Sequence, residues 1–367
     1  MNRAATRPGS GVSVGGFWSR VGDLLGAITR TTSGPVYLVL LVVFLICFTV
    51  VTIDGGTFLS VDNIRDMLVR SVALGIVAAG QTLVILGASL DLSVGWVISL
   101  ASLIGAETMN GDDGRIMLGI GAVLLFGAVV GLINGLVITK LRVNAFIATL
   151  GMALVIRGYT EANYAGPSGD TPSGFQKLGF ETWGPIPLSV ILLLAVVAGI
   201  WFLLRYTRFG NRLYAVGGDE EVAKLSGVRT HRVIITAHVL CALAAAITGL
   251  FLASRLGAGS PLVGTDAAYD LQSIAAVVLG GTYLLGGRGG VLGTLAGVLI
   301  LAMIDNTFDQ LQVDAFLKQV ARGLIIIAAV AAYSVRWQRR RRSERAAVGA
   351  GDEPPGTPPV LQEGRAT

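Results

Sequence analysis

The chain has 367 residues, of which 53% are apolar and 14% charged, with a formal net charge of +5. Soluble globular domains carry roughly 25% charged residues. With a mean hydropathy of +0.70, the chain has too few polar groups to cover a water-exposed surface, so it reads as an integral membrane protein, and fibrous, disordered, disulfide-stapled and DNA-binding classes are excluded.

Residues 1–33 hold no long apolar run and carry Arg3, Arg7, Arg20 and Arg30 against Asp23, a basic cytoplasmic lead. The first apolar run, Pro35 to Val51, has no small-residue cleavage site close behind it and reads as an uncleaved span. A span needs roughly 20 mostly apolar residues. Such runs fall near 35–53, 67–87, 92–108, 116–139, 143–163, 186–205, 232–254, 270–286, 290–304 and 317–335. The fold class is therefore all-α and polytopic, with about ten transmembrane helices and a range of eight to ten. The third, eighth and ninth runs are short for a full crossing, which predicts broken or re-entrant helices among them.

Lys and Arg set the orientation. Alternate connections carry Lys140 and Arg142, then Arg205, Arg208, Arg212, Lys224, Arg229 and Arg232, then Arg288. The remaining connections carry fewer cations (Arg65, Arg115, Lys177, Arg255) and add Asp112, Asp113, Asp170 and Asp266. By the positive-inside rule both termini are cytoplasmic. This gives a basic lead (1–33), a transmembrane domain (34–336) with a cytoplasmic loop at 206–231, and a tail (337–367). The tail is basic at first (Arg339 to Arg342), then rich in Pro, Gly, Ala and charge, and reads as disordered.

Glycine contributes 50 residues, about twice average usage. Gly127, Gly131 and Gly135, and likewise Gly289, Gly293 and Gly297, recur at every fourth position, the small-residue faces that let membrane helices pack closely. The external stretch 165–187 is rich in Pro and Gly and carries Phe175, Phe180 and Trp183; it reads either as a connector or as a surface for an external partner. In the loop TRFGNRLYAVGGDEEVAKLSGVRTHR, Gly217 and Gly218 break the chain. Asp219 can cap a short helix whose first turn holds Glu220 and Glu221, and Ser226-Gly227 end it.

Catalytic chemistry finds little support. No G-x-x-x-x-G-K-[ST] occurs, so the chain has no ATP site of this kind, and the Gly-rich stretch 280–293 follows no strand and reads as helix packing. His231 and His238 lack a third ligand at metal spacing and read as structural; no metal site is expected. Cys47 and Cys241 each lie inside an apolar stretch and read as packing residues. Asp305 and Asp309 lie on one helix face, which raises a diphosphate-binding membrane enzyme as an alternative, but no second Asp-rich motif accompanies them. Charges at membrane depth are scarce, with Asp91, Glu107, Arg157 and Asp305 as the candidates, most of them near span ends.

Four ordered stretches carry a resemblance. They are GQTLVILGASLDLSVG (80–95), RVNAFIATLG (142–151), TRFGNRLYAVGGDEEVAKLSGV (207–228) and LQSIAAVVLGGTYLLGGRGGVLGTLAGVLI (271–300). Together they resemble the permease subunit of bacterial ribose-type ABC importers, the simple-sugar permease family related to branched-chain amino-acid permeases. The likeness covers roughly 36–335. One departure is Asp219, where the family commonly has Asn; both cap helices, so only the charge differs.

The resemblance implies a non-enzymatic, multi-pass permease of the bacterial inner membrane, importing a monosaccharide or polyol, with no cofactor of its own. ATP and Mg²⁺ would sit on a separate ATP-binding subunit. The helix at 219–227 would dock that subunit, with Gly217 and Gly218 giving the bend, Ala223 and Leu225 apolar contact, and Glu220, Glu221 and Lys224 a polar rim. The outer loop would help receive an extracytoplasmic binding protein. Substrate would pass at the interface with a second permease chain, a homodimer in a lipid bilayer, with no nucleic acid involved. For Asp91 and Ser93 two readings stand: a helix break beside the path, or a structural N-cap by Asp91. Asn134, Asn144 and Thr149 are further path candidates by polarity. Importers of the same architecture for a furanone autoinducer, a nucleoside or an amino acid, and an ion-coupled carrier, are the alternatives.

Overall fold

The computed structural model describes residues 34–314 without a break, and 316–321, 323, 324 and 327 beyond them. The basic lead, the tail and most of the expected tenth span lie outside the described residues. The helices are α1 (Gly34–Ile53), α2 (Val61–Leu86), α3 (Val94–Met109), α4 (Ile116–Lys140), α5 (Ala145–Asn163), α6 (Ser173–Phe180), α7 (Leu188–Tyr206), α8 (Arg208–Gly218), α9 (Glu220–Leu225), α10 (Thr230–Leu256), α11 (Val263–Asp266), α12 (Tyr269–Leu279) and α13 (Val291–Gln310). The described strands, β1 (Thr182–Trp183) and β2 (Ile186–Pro187), pair antiparallel across Gly184. The all-α, polytopic expectation is met.

Among the described residues, six helices are long and apolar enough to cross a membrane: α1, α2, α4 (with the preceding turn from Asp113), α7, α10 and α13. The centre is built on α2 and α10. Ser60 caps α2 by accepting the Asn63 N–H at 3.2 Å, and Asp62 sits in its first turn. At 26 residues α2 extends about 39 Å, more than the hydrocarbon thickness. Its most apolar window is 89% buried, whereas that of α1 is 17% buried, so α2 is a core helix and α1 an outer one. α10 packs on α2, α3 and α4. Side chains such as Val77, Ile85, Val97, Ile98, Leu103 and Cys241 close this centre.

Glycine sets the tightest contacts. A Cβ on Gly131 would come within 2.6 Å of the His238 carbonyl oxygen, and one on Gly135 within 2.7 Å of Ile235 Cα; Gly127 faces Ala242 and Ala246 in the same way. These three let α4 lie directly on α10. Gly293 and Gly297 do the same for α13 against Gly280 and Ala276 of α12. Gly289 is different: it lies outside α13 with φ +125° and approaches Thr282, so it belongs to a loop rather than to a helix face.

Among the described residues, two apolar helices are too short for a crossing. α3 has 16 residues, and α12 has 11, about 16 Å. The expected eighth span, 270–286, ends at Leu279, because the chain turns at Gly280 and enters a loop where Gly281, Gly286, Gly287 and Gly289 all have positive φ. Each short helix is entered through a connecting segment that is non-helical apart from the single turn of α11. Segment 87–93 follows α2 and leads into α3; segment 257–268 follows α10 and leads, through α11, into α12. α2 and α10 run in opposite directions, so the two segments enter the bundle from opposite ends. Each holds an alanine in the left-handed region, Ala88 at φ +57° and Ala268 at φ +48°. Irregular backbone at membrane depth persists only where protein covers it. Asp91 and Ser93 are fully buried, and Gly264 is buried against Gly95.

Candidate functional site

The segment 87–93 is held by a buried polar cluster. Asp91 Oδ1 accepts the Ser93 N–H at 2.9 Å and the Ser93 hydroxyl at 2.5 Å. Its Oδ2 faces Asn134 Nδ2 at 3.4 Å and His238 Nδ1 at 3.3 Å. Asn134 also donates to Ser93 Oγ at 3.0 Å, and Ser89 Oγ lies 2.9 Å from His238 Nε2. Donation from His238 Nδ1 to Asp91 leaves Nε2 to accept the Ser89 hydroxyl, so every group has a partner. Thr149 of α5 takes the Leu92 N–H at 3.1 Å. The cluster therefore ties the start of α3 to α4, α5 and α10. The close approach of Gly131 to His238 is what places Asn134, one turn on, beside Asp91.

Of the residues singled out for polarity, Asp91, Ser93, Asn134 and Thr149 come together, all at 1% exposure or less. Asn144 stands apart: it is exposed and caps α5 by accepting the Phe146 N–H at 2.9 Å. The residue in cap position for α3 is Ser93, with Asp91 two residues ahead taking its N–H. Ser89 and His238 belong to the cluster although sequence reasoning left them out. His238 lies 147 positions from Asp91, and no local spacing signals that pairing.

The loop at 206–231 folds into two helices. Thr207 caps α8 through the Gly210 N–H (3.3 Å), and Asp219 caps α9 through the Val222 N–H (3.0 Å). Glu220 and Glu221 occupy the first turn of α9, and Gly227 (φ +80°) follows its end, as expected. Lys224 bridges Glu221 at 2.9 Å and Glu220 at 3.2 Å; these hydrogen bonds, that of Glu221 first, push its ammonium pKa up. Glu220 also accepts from Thr230 at 2.9 Å, which fixes α9 to the start of α10.

Two expectations change. Gly217 and Gly218 do not break the chain: they are the last residues of α8, and the bend falls at Asp219, whose backbone is extended. Gly217 is needed for a close approach, since a Cβ there would lie 1.8 Å from the Leu86 carbonyl oxygen. That carbonyl accepts the Gly287 N–H at 3.0 Å, and Gly286 abuts both Gly217 and Ala88. Gly218 meets nothing within 4 Å. Ala223 is the second change: at 4% exposure it packs inward on the cluster of Leu83, Leu86 and Leu213. The exposed apolar pair on α9 is instead Val222 (58%) and Leu225 (89%). A helix of this length can turn only one side inward, and Ala223 is the residue small enough to fit.

Tyr214 of α8 donates to the Gly289 carbonyl at 2.9 Å, and burial pushes its phenol pKa up, which keeps the proton on the donor. A cleft of 440 Å³ opens at this end of the bundle, lined by Ser89, Asp219 and Glu220 among others.

At the opposite end, the 165–187 stretch contains α6 and the small β-ribbon. Phe175 is buried, whereas Phe180 and Trp183 are exposed. Arg255 lies over the Phe180 ring, 5.3 Å from its centroid, and donates to the Gly179 carbonyl at 3.2 Å. Glu107 accepts from Tyr164 and Ser168, each at 2.8 Å, tying α3 to this loop. Burial first, and then Glu107, push the Tyr164 phenol pKa up to about 12.

Asp309 is engaged by Arg70 and Lys318, each at 2.5 Å, which leaves no open carboxylate pair for a diphosphate. Among the described residues no group of three or more His, Cys, Asp or Glu could hold a metal ion.

Residues 63–330 match the family described as branched-chain amino acid transport system / permease component. The chain is 35% identical over 297 residues to the ribose import permease protein RbsC of Escherichia coli K12, covering 79% of this chain and 91% of that protein. It is 40% identical over 287 residues to RbsC of Bacillus subtilis, covering 77% and 87%. It is 34% identical over 333 residues to the galactose/methyl galactoside import permease protein MglC of E. coli K12, covering 86% and 97%. No solved structure matches.

Proposed function

We propose that this chain, which belongs to the family of branched-chain amino acid transport system permease components, is the membrane-spanning permease subunit of an ATP-driven importer for a monosaccharide. It is a transporter subunit and not an enzyme, a multi-pass protein of the bacterial cell membrane whose partners are an ATPase and a substrate-binding protein. What carries the reading is likeness over nearly the whole length of permeases named for ribose and galactose import. The same end of the bundle that collects the Lys and Arg of the connections is assigned to the cytoplasm.

On this reading α9 docks the ATPase. Val222 and Leu225 are the apolar anchors, and Glu220, Glu221 and Lys224 the rim around them. α9 is joined to the bundle through Ala223, and α8 through the Gly217–Leu86–Gly287 backbone contact. Displacement of this pair of helices therefore bears on segment 87–93 and on loop 280–290 together. The buried cluster at Asp91 keeps the broken helix in register during that movement. A second copy of the chain completes the path, and the exposed Phe180 and Trp183 face the binding protein.

The test is the variant Leu225→Asp. It places a charge at an 89% exposed site, so the fold is retained. Expected is loss of the ATPase from the purified complex by at least tenfold, with uptake lost in parallel. Undiminished association would remove α9 from the interface.

A further inference from the structure

α7 lies on the outer side of the bundle, and its cytoplasmic end has the composition of a headgroup-level belt. The helix is 19 residues long, about 29 Å, close to the hydrocarbon thickness of a bilayer. Only 33% of its most apolar window is buried, so most of it faces lipid. Trp201, Phe202 and Tyr206, in its last two turns, are exposed. The Tyr206 ring meets Trp201 edge-on, 5.5 Å between centroids, and lies 5.4 Å from Phe202. Such rings collect at the level of the headgroups, where an apolar body and a polar tip are both satisfied.

A cleft of 320 Å³ opens beside these rings, between the end of α7, the first turns of α8 and the start of α13. Trp201 and Leu292, both exposed, line it, so it adjoins the lipid-facing surface. Its charged lining residue is Arg205, which forms no ion pair among the described residues. Asn211 lines it as well, and the exposed Arg208 stands one turn before Asn211 on the same face of α8. α13 begins at the cleft with Gly290 in cap position and no side-chain cap. The N–H groups of Val291, Leu292 and Gly293 therefore have no acceptor among the described residues. The nearby Gly289 carbonyl is already engaged by the Tyr214 hydroxyl at 2.9 Å. The lining thus offers donors and positive charge, with no carboxylate. The 440 Å³ cleft at the same end, which holds Asp219 and Glu220, is the opposite case.

We propose that this cleft holds the phosphate of an anionic phospholipid of the cytoplasmic leaflet, with Arg205 and Asn211 donating to its oxygens and Trp201 against the start of its acyl chains. Guanidinium and phosphate form charge-assisted, two-pronged hydrogen bonds, and the uncapped start of α13 favours the same negative charge. Basic pockets between membrane helices on the cytoplasmic side are suited to such headgroups. A zwitterionic lipid is a poorer fit, because no carboxylate lines the cleft to receive its ammonium. A soluble phosphate would meet the same donors but would leave Trp201 and Leu292 unused. The site does not depend on which solute the permease carries. The bound lipid ties α7, α8 and α13 together at the end where α8 touches Leu86 and Gly287.

The test uses the full-length chain, delipidated in detergent and titrated with phosphatidylglycerol, phosphatidylcholine or glycerol 3-phosphate, the bound species being counted by native mass spectrometry. Phosphatidylglycerol is expected to bind about tenfold more tightly than phosphatidylcholine, the scale of a hydrogen bond to a charged group. Arg205→Gln removes that preference; Arg205 is exposed, so the fold is retained. Arg229→Gln, which removes one exposed charge outside the cleft at the same end, keeps it. Equal affinity for the two lipids in the parent chain overturns the site, as does an undiminished preference in Arg205→Gln. Loss of the preference in both variants alike reduces the effect to general surface charge and overturns the site too. Glycerol 3-phosphate that displaces phosphatidylglycerol at equal concentration overturns the lipid as the source of the phosphate.

Discussion

Segments 87–93 and 257–268 perform the same structural task from opposite ends of the bundle, and they are secured by different chemistry. The first is pinned by a buried carboxylate with His238, Asn134 and Ser93 around it. The second is held by neutral contacts. Ser99 Oγ accepts the Gly264 N–H at 3.0 Å, Ser102 bonds both the N–H and the carbonyl of Ser260, and Gly264 touches the Gly95 carbonyl. A charge that is buried and fully bonded fixes one geometry, because any departure leaves an ion without partners. A glycine contact depends on shape alone and tolerates no added atom. The segment beside the proposed ATPase site thus carries the electrostatic lock, and the segment at the far end carries the steric one.

The contrast can be broken at both ends. The largest effect is expected for Gly264→Val. A Cβ there would lie 2.0 Å from the Gly95 carbonyl oxygen, a backbone atom that cannot rotate away. The prediction is failure to assemble, read as loss of the monodisperse peak when the detergent-solubilised chain is chromatographed. Next is Asp91→Ala, which strips His238, Asn134 and Ser93 of their shared acceptor. A destabilisation of about 3–5 kcal/mol follows from removing one partner of a buried pair, measured as a drop in the thermal unfolding midpoint. Asp91→Asn keeps an acceptor for the Ser93 N–H and should cost visibly less in the same measurement. The smallest effect is Ser99→Ala, about 1–2 kcal/mol for one buried amide left without its hydroxyl acceptor. Were Ser99→Ala to match Asp91→Ala, the distinction between an electrostatic and a neutral anchor would be lost.

How much of this was legible in the residues depends on the range of the signal. Apolar runs of sufficient length mark α1, α2, α4, α7 and α10 directly, because a bilayer-length helix is specified locally. The early end of α12 was harder to see: Leu284 and Leu285 continue the apolar run past Leu279, while the turn depends on glycines whose positive φ hydropathy does not record. The capping of α9 was readable from Asp219 and Gly227, which act within three residues. The inward turn of Ala223 was not, since it depends on Leu83, Leu86 and Leu213 from two other helices. His238 is the clearest case. Its partners Ser89 and Asp91 stand about 150 positions away, and only the packing of α10 against α2 and α3 brings them together.

The meeting of Gly217, Leu86 and Gly287 has a mechanical consequence. Three backbones touch there with no side chain between them. Side chains are the compliant part of a packed interface, since they can change rotamer and absorb a displacement of an ångström or so; peptide planes cannot. A joint made of backbone alone has almost no play. On the proposed docking of α9, this joint is the route by which a displacement of α8 reaches the end of α2 and the loop before α13.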